Sequence, residues 1–596
     1  MGTERGTLRQ YLSLRHGPTR WVLFLAAAVL GFTLVRLLWL DTIVYRDEAA
    51  GGYVGMLWSR GLPPYVNCLD NKTPIFYGIY LIHIKLFGNN IIPVRLFNDL
   101  LFVVSLLAVY RIALPWFGAR AAVLALLLYG FALNMPIFDG QLAIADSLSM
   151  PFLVFSFLFC TRYINRDGEG AKADAFLAGL FLSVAVLIHP VRLVGIIPLA
   201  YALSYGFLRL RRANTGFLQS SARFIPHVSA AVLGFALPAA GVLLELLREG
   251  ALDDALAVAQ RNAATHRVIN PDVTFGHYFM IIVEGLPIWV MAFIGSLVLL
   301  RRAGYRAGFV FASLIPTLLV ILYLTPRFGH RFQAILPMAA IAGGLAVDHL
   351  ISLYSRRRRR NYVGTFLRAT ALSGLIGIVL LTVVPSIWLQ AKHFPNYNIH
   401  WQFIDWDWAF AESYDQQLTI ANYLKEHAKP EDRILLHGWF PELYWLSGYQ
   451  APSIFVYSYR GPGVDISDDE YNKLVQGVKT GEFAYVGFLD WSSDEVIDAV
   501  RSRYSLETTI GSGRYRFLLY SNPTPPEPVA GTRPSFLLAS NSSSTWNCST
   551  SGSSWADRIQ VAFEGQDCHG SFCLHYRFQG RLGEELTETS VTLSTD

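Results

Sequence analysis

An acidic tetrapeptide, Tyr45-Arg46-Asp47-Glu48, directly follows the first apolar run of the chain. That run, Trp21 to Leu40, has the length of a helix that crosses a bilayer. Carboxylates at a membrane exit are costly unless they face water or a site, so this position favours chemistry at the membrane surface. A positioned carboxylate can take the proton of a hydroxyl group and so activate that group for attack.

Other polar residues lie in segments that the order of apolar runs places on the same side. Asp70, Asn71 and Lys72 share the first loop with Asp47, and a second loop begins at Asp139 and ends at Asp146. The later segments supply mainly cations and histidines: His189, Arg192, Arg261, His266, Arg267, Arg327, His330 and Arg331. Carboxylates beside cations at a lipid surface suit an acceptor hydroxyl that meets a lipid-borne phosphate. Taken singly, an acidic pair after a span is usually a solvated loop, and His189 before Pro190 is typical of a helix end. The His330-Arg331 turn is as typical of a headgroup contact as of a site.

The composition predicts a polytopic helical membrane protein. Hydrophobic residues make up 53% of the 596 and charged residues only 16%, and the mean hydropathy is +0.35. A soluble domain is about a quarter charged. The net charge of +5 does not indicate a nucleic-acid partner, because the basic residues cluster in short loops between apolar runs. The first run is longer than a signal-peptide core and lacks a small-residue cleavage site, so we expect a retained anchor.

About eleven apolar runs have a membrane-spanning length. They are residues 21–40, 93–113, 120–138, 147–164, 174–190, 191–208, 224–247, 277–300, 307–325, 333–353 and 366–389. Arginines in residues 1–20 predict a cytoplasmic amino terminus, and the strong basic clusters then all fall on that side, including Arg356–Arg360. The odd number of spans predicts that the chain after Gln390 lies outside the cytoplasm. We expect the whole chain to be an integral protein of the plasma membrane.

Two further segments complete the predicted organisation. The run Ile75–Phe87 is too short to span and predicts an interfacial helix, with Tyr77, Tyr80, His83 and Lys85 on its wet side. After the membrane domain, taken as residues 21–390, alternating helix and strand patterns predict an α/β domain over residues 391–521.

The elements predicted for the α/β domain are three helices and four strands. The helices are Asp415–Lys429, Glu442–Ser447 and Asp468–Lys479, and the strands are Asp432–His437, Ile454–Tyr457, Ala484–Leu489 and Arg514–Tyr520. Residues 522–596 begin with a Pro/Ser-rich linker and end in a small module with strands around Ile559–Phe563 and Phe572–Phe578. Cys548, Cys568 and Cys573 lie in this part; Cys568–Cys573 is the simplest disulfide pairing, and the pairings of Cys548 stay open.

Several motifs resemble the GT-C glycosyltransferases. They are the acidic pair after the first span, Asn71-Lys72-Thr73-Pro74 at the start of the interfacial helix, and the loop with Asp146. The closest resemblance is to the protein O-mannosyltransferase and aminoarabinose transferase branch, including the family 39 enzymes. His330-Arg331-Phe-Gln-Ala-Ile-Leu-Pro337 is similar to a late segment of that family. In the tail, Tyr444-Trp-Leu-Ser-Gly448 resembles a motif that is common after such membrane domains.

The resemblance covers residues 20–520 and has two departures. Thr73 stands where many relatives have a second proline, and the final Ser-rich module is unmatched. The chain also lacks the Trp-Trp-Asp signature of oligosaccharyltransferase catalytic subunits, which argues against transfer of a preassembled glycan.

The resemblance implies a polyprenyl- or dolichyl-phosphate sugar as donor, inversion at the anomeric carbon, and a glycan, lipid or protein hydroxyl as acceptor. We expect Asp47 to be the base, with Glu48 and Asp146 as supporting carboxylates that bind or orient the acceptor. Lys72 resembles the phosphate-contacting lysine of the family. Arg261 and Arg331 are further candidates for the leaving phosphate, and the remaining pocket candidates are Tyr45, His189, Arg192 and His330.

The sequence leaves the sugar, the acceptor and any need for a divalent metal open. No metal ligand is assigned, and no spacing resembles a zinc site. The main alternative function is a transporter of a lipid-linked or small anionic substrate. A transporter is typically built from internal repeats with charges at mid-membrane depth, whereas the candidate carboxylates here follow the ends of apolar runs.

Overall fold

A computed structural model describes most of the membrane domain and much of the tail. The described residues are 23–66, 68, 72–166, 169–212, 216–265, 281–282, 285–302, 304–324, 329–357, 414–438, 440–453, 468–490, 494–513, 516–524, 560–568, 571–582 and 585–593. They divide into two compact units, one within residues 1–530 and one within residues 531–596. The predicted span 366–389 lies outside the described residues, as do Asp70, Asn71, His266, Arg267 and Arg327.

The described residues of the membrane part are mainly helical. Its helices are α1 (Leu23–Leu37), α2 (Arg46–Ser59), α3 (Pro74–Phe87), α4 (Ile92–Phe117), α5 (Ala119–Leu133), α6 (Ala145–Asn165), α7 (Glu169–Ile188), α8 (Ile196–Arg212), α9 (Phe217–Arg248), α10 (Leu252–Thr265), α11 (Leu286–Arg302), α12 (Tyr305–Leu324) and α13 (Leu336–Arg357). Short 3₁₀ turns occupy Pro136–Phe138, Pro190–Gly195 and Gly329–Ala334.

The lengths of these helices confirm a polytopic membrane protein. Among the described residues, seven helices are long and apolar enough to cross a bilayer, and α1, α3, α5 and α11 are shorter apolar helices. Large apolar side chains are exposed along α9, such as Leu218 and Leu244, as expected of a surface in lipid. The helix bounds differ from the predicted runs by several residues, because apolar composition does not mark where a helix begins or ends.

The sequence interpretation was wrong about two local features. The acidic tetrapeptide is not a loop, because Arg46, Asp47 and Glu48 form the first turn of α2, where carboxylates are favoured by the helix dipole. Helix α3 forms as predicted, but Tyr77 and Tyr80 on it are buried against protein. Their burial follows from α2, which packs on α3 and occupies the face that was expected to be wet.

The tail folds as the predicted α/β domain. It contains α14 (Tyr414–His427), β1 (Ile434–Leu436), α15 (Pro441–Ser447), α16 (Asp468–Thr480), β2 (Tyr485–Leu489), α17 (Glu495–Arg503), β3 (Ser505–Ile510) and β4 (Phe517–Ser521). The sheet has the order β1-β2-β4-β3, with β1 and β2 parallel and the other pairs antiparallel. Helix α17 and strand β3 were not predicted, and the predicted strand Ile454–Tyr457 lies outside the described residues.

The second unit contains an antiparallel sheet of three strands, β5 (Gln560–Cys568), β6 (Ser571–Leu582) and β7 (Glu585–Leu593), in that order. Its first two strands agree with the predicted strand regions. In their register Cys568 lies opposite Ser571, and Cys573 lies opposite Gln566. The two cysteines are therefore on neighbouring strands but are not directly paired across them.

Candidate active site

Asp47 and Lys72 form an ion pair at the start of two packed helices. The Nζ atom of Lys72 lies 3.4 Å from Oδ2 of Asp47. The Lys72 side chain is 13% exposed and the Asp47 side chain is 25% exposed, so a substrate can reach both. Burial by itself raises the pKa of Asp47, but the positive charges of Lys72 and Arg46 outweigh it, and the pKa lies below its usual range. Asp47 is therefore ionised at neutral pH.

The backbone around Lys72 is held by three hydroxyl groups. Tyr65 donates to the Lys72 carbonyl at 2.7 Å, and the Lys72 amide donates to the Tyr77 hydroxyl at 3.0 Å. The next residue, Thr73, donates to the carbonyl of Ile188 at 3.0 Å. Thr73 thus ties the start of α3 to the end of α7, a contact that a proline at this position cannot make.

Asp146 is surrounded by four cationic or imidazole side chains. Arg192 lies 2.8 Å from one carboxylate oxygen, while Arg331, His189 and His330 approach the other at 3.2, 3.5 and 3.6 Å. The residue is in the first turn of α6 and only 2% exposed. Because such a carboxylate is already saturated with donors, its geometry suits holding the cations in place better than taking a proton.

The hydrogen bonds of His189, Arg192 and Arg331 show which of their atoms are already occupied. Burial lowers the pKa of His189 well below its usual range, so its ring is neutral, and Nε2 accepts a hydrogen bond from Arg331. Arg192 also donates to Ser149 at 2.9 Å. Nε of Arg331 and Nη1 of Arg192 are buried and have no hydrogen-bond partner among the described residues. Buried guanidinium donors of this kind are available to an anionic ligand.

Two packed turns bring His330 and Arg331 to the acidic residues. His330 Nδ1 lies 3.2 Å from Oδ2 of Asp139, whose backbone is in the left-handed region at φ 51°. Gln333 donates to the carbonyl of Phe138 at 2.6 Å and to Ser147 at 3.0 Å. Any side chain at Gly329 would overlap the carbonyl of Ile137. The close approach at this glycine lets the turn 329–334 lie against the turn 136–138.

Glu48 lies beside Asp47 in sequence but is directed into the protein. Its carboxylate accepts from Arg95 at 3.0 and 2.6 Å, from the Ala143 amide at 2.8 Å and from the Tyr45 amide at 3.1 Å. The residue is completely buried. These bonds join α2, α4 and the loop before α6, so Glu48 fixes the relative position of the elements that carry Asp47 and Asp146.

The structure brings most of the predicted site residues into one cluster. Arg331, His189 and His330 lie 3.2, 3.5 and 3.6 Å from Oδ2 of Asp146, and His330 also lies 3.2 Å from Asp139. The charge of Arg331 also contributes to the lowered pKa of Asp47, which links the ion pair of Asp47 and Lys72 to this cluster. Only the backbone of Arg261 is described, in α10. Among the described residues, no group of three or more His, Cys, Asp or Glu side chains is arranged to hold a metal ion.

Sequence reasoning missed two residues that organise the cluster. Asp139, which positions His330, appeared only as one carboxylate among several. Arg95 was overlooked within the apolar run 93–113, although a charge inside such a run is itself a signal of a buried partner. The same signal applies to Arg36 and Asp99, which form a buried ion pair at 2.5 Å. Arg36 also donates to the Gly140 carbonyl at 2.7 Å and so supports the loop that contains Asp139.

Comparison with known proteins agrees with this site and fold. Residues 71–239 match the family model of dolichyl-phosphate-mannose-protein mannosyltransferase. The match spans less than a third of the chain and includes Lys72, Asp146, His189 and Arg192. No curated protein sequence matches the chain.

Solved structures show the fold. ArnT from Cupriavidus metallidurans bound to undecaprenyl phosphate is similar with a TM-score of 0.57 and 16% identity, over 85% of this chain and 98% of that chain. Its apo form gives 0.53 and 15%, with the same coverage. The archaeal oligosaccharyltransferase AglB from Archaeoglobus fulgidus, in complex with an inhibitory peptide and a dolichol-phosphate, gives only 0.43 and 12%, over 82% and 74%.

The fold class is therefore that of the GT-C membrane proteins, with a helical membrane domain followed by an α/β domain. Together with the family match, it indicates a GT-C glycosyltransferase.

Proposed function

We propose that this protein is an inverting glycosyltransferase that moves a sugar from a polyprenyl-phosphate donor to an acceptor hydroxyl at the extracytoplasmic face. The acceptor is a glycan, a lipid or a protein. The observation that carries the proposal is the ion pair between Asp47 and Lys72, which is open to substrate and lies beside the cationic cluster around Asp146. The reaction needs a base that takes the proton of a hydroxyl and cations that stabilise a phosphate. Asp47 can serve as the base, and Lys72 and Arg331 can serve as the cations.

The leaving phosphate is assigned to Lys72 and Arg331. Lys72 is exposed enough to contact a headgroup, and Arg331 has a buried Nε atom without a partner among the described residues. The Nη1 atom of Arg192 is similarly available, deeper in the cluster. Charge-assisted bonds from such donors stabilise the negative charge that develops on the phosphate as the glycosidic bond breaks. The family match to a dolichyl-phosphate-dependent enzyme supports this class of donor.

Asp47 is assigned as the general base. The acceptor oxygen attacks the anomeric carbon from the face opposite the phosphate, and its proton passes to Asp47. The new bond between oxygen and carbon forms while the bond from carbon to the phosphate oxygen breaks, so the configuration inverts. A phosphate is a good leaving group and needs no acid, in contrast to the alkoxide released in glycoside hydrolysis.

Lys72 links donor binding to the strength of this base. In the structure the lysine charge lowers the pKa of Asp47. A donor phosphate that draws the ammonium group toward itself weakens that effect, and the carboxylate becomes a better proton acceptor. The base is then strongest when the donor is present.

The other two carboxylates have supporting roles in this proposal. Glu48, which we expected to bind the acceptor, is proposed instead to position α2 through Arg95, because its buried carboxylate is occupied by protein donors. Asp146 is proposed to hold Arg192 and Arg331 in place for the phosphate. Tyr45, His189 and His330 complete the pocket.

The decisive experiment offers purified protein a panel of radiolabelled sugars on undecaprenyl and dolichyl phosphate, with membrane glycolipid and glycan extracts as acceptors. We expect transfer from at least one polyprenyl-phosphate sugar, with inverted anomeric configuration in the product. Asp41→Asn, a change at a nearby exposed carboxylate, is the matched control for Asp47→Asn. Transfer that persists in Asp47→Asn, or that requires a nucleotide sugar instead, would exclude the proposed mechanism.

A further inference from the structure

The α/β domain contacts the chain at Val44, shortly before the proposed base Asp47. Gln417 on α14 accepts a hydrogen bond from the Val44 amide at 2.8 Å and donates to the Val44 carbonyl at 3.4 Å. One side-chain amide thus satisfies both backbone groups of Val44, as a neighbouring strand does in a sheet. Gln417 and Val44 are 3% and 4% exposed, so water does not compete for these bonds.

A buried acid lies on the neighbouring helix. Glu442, in the first turn of α15, is 4% exposed, and Gln417 and Arg46 both lower its pKa, against the larger effect of burial. The bonds between Gln417 and Val44 are themselves shielded from water. Because buried polar groups are costly without their partners, these two bonds fix the backbone at Val44.

Helix α15 also packs closely against the middle of α2. The Trp445 indole is fully buried and lies so close to Gly52 that a methyl group there would overlap it. Tyr444 packs on Tyr53 with ring centroids 5.9 Å apart, and the Tyr53 hydroxyl accepts from the Ala451 amide at 2.9 Å. The first turn of α2 holds Asp47, so this packing determines where Asp47 sits.

We propose that Gln417 of the α/β domain is a positioning residue for sugar transfer, which clamps the backbone at Val44 so that Asp47 faces Lys72. The Gln417 side chain is only 3% exposed. The inference rests on the proposed function for its catalytic part, whereas the clamp itself is a structural property that can be measured without activity. It makes the α/β domain a component of the active site.

The test compares two adjacent glutamines in the full-length protein. Gln417→Met removes both bonds to Val44 at nearly constant volume. Gln416→Met is the matched control, because Gln416 is on the same helix and similarly buried, but donates to Ile510 within its own domain at 3.2 Å. Hydrogen exchange of the peptide containing Val44 to Glu48 reports the clamp. Single-turnover transfer and donor affinity report its effect on catalysis.

We expect Gln417→Met to exchange at least about 10-fold faster in this peptide than the wild type, with Gln416→Met unchanged. The transfer rate should fall about 10- to 100-fold while donor affinity stays within about 3-fold, since misplacing a base impairs chemistry more than binding. The double variant Gln417→Glu/Glu442→Gln exchanges the amide and the carboxylate, keeps an acceptor for the Val44 amide, and should restore most of both signals.

The outcomes separate the two proposals. Unchanged exchange in Gln417→Met overturns the clamp, whatever the activity. Faster exchange with an unchanged transfer rate overturns the positioning role. If the wild type transfers no sugar from any donor while exchange still rises in Gln417→Met, the proposed function fails and the clamp stands. Should Gln417→Met not fold, the double variant decides: loss of protection there, in a folded protein, also overturns the clamp.

Discussion

Asp146 and Arg331 form an ion pair, with 3.2 Å between Oδ2 and Nη1, although they belong to elements that are far apart in the sequence, helix α6 and the turn 329–334. Arg331 also donates to His189, so one guanidinium joins the first turn of α6 to the end of α7. Its Nε atom remains without a partner among the described residues. The pair therefore keeps a cation oriented while leaving part of it available to a phosphate.

Asp47→Asn should reduce transfer about 10²- to 10⁴-fold and leave donor binding largely intact. Asparagine keeps the size of the side chain but cannot accept the acceptor proton. Single-turnover transfer from a labelled polyprenyl-phosphate sugar measures the rate, with Asp41→Asn as the control. A rate near that of the wild type would remove Asp47 from the chemistry.

Lys72→Ala should weaken binding of undecaprenyl phosphate about 10- to 150-fold, since a charge-assisted bond contributes about 1.5–3 kcal/mol. Lys72 lowers the pKa of Asp47, so its removal should raise that pKa. The acidic limb of the pH–rate profile should then shift to higher pH. Lys85→Ala, an exposed lysine on the same helix, is the control. Equal affinity for undecaprenyl phosphate in both variants would show that Lys72 does not bind the donor and contacts only the headgroups of bilayer lipids.

Glu48→Gln should destabilise the protein by about 3–5 kcal/mol, because the Arg95 charge is only 1% exposed and loses its counter-charge. Thermal unfolding in detergent measures the effect. Glu245→Gln removes one of the two carboxylate partners of the exposed Arg248 and should leave the melting temperature nearly unchanged. If Glu48→Gln keeps full stability but loses acceptor binding, the carboxylate contacts substrate after all.

Stability should fall as the pH rises toward 8, owing to Glu442. Burial raises the pKa of Glu442 from 4.5 to about 8, with Gln417 and Arg46 acting in the opposite direction. The folded protein therefore retains a proton that the unfolded chain has lost, and this contribution to stability declines between about pH 4.5 and pH 8. Glu442→Gln should flatten the decline in melting temperature across that range, whereas Glu507→Gln, at an exposed site, should not. A slope unaffected by Glu442→Gln would contradict the assignment.

Residues 391–596 should lie outside the cytoplasm and Arg356–Arg360 inside, as the one-sided distribution of basic loops predicts. An impermeant thiol reagent applied to intact cells should label a cysteine introduced beside Asp490 in a cysteine-free background. A cysteine at position 301, at the end of α11, should react only after lysis. The reverse pattern would move the proposed site to the cytoplasmic face.

Much of the fold and several site residues could be read from the sequence, because their signals are local. Long apolar runs indicated the membrane helices, and the helix and strand periods after residue 413 indicated the α/β domain. Asp47, Lys72 and Asp146 were selected because charged residues just beyond apolar runs are costly without a role. His330 and Arg331 were selected because the order of apolar runs places them on the same side as Asp47, and because they begin a segment that resembles a family motif.

Only the tertiary structure decided what each of these residues does. Asp47 and Glu48 are adjacent in sequence, yet on a helix they point in different directions, and only packing on Arg95 shows that Glu48 is the buried member. Residues 416 and 417 are both glutamines, so the sequence does not distinguish them. In the structure Gln417 bonds to Val44, whereas Gln416 bonds to Ile510. Contacts between residues hundreds of positions apart depend on how helices and domains pack, and no local pattern in the chain encodes them.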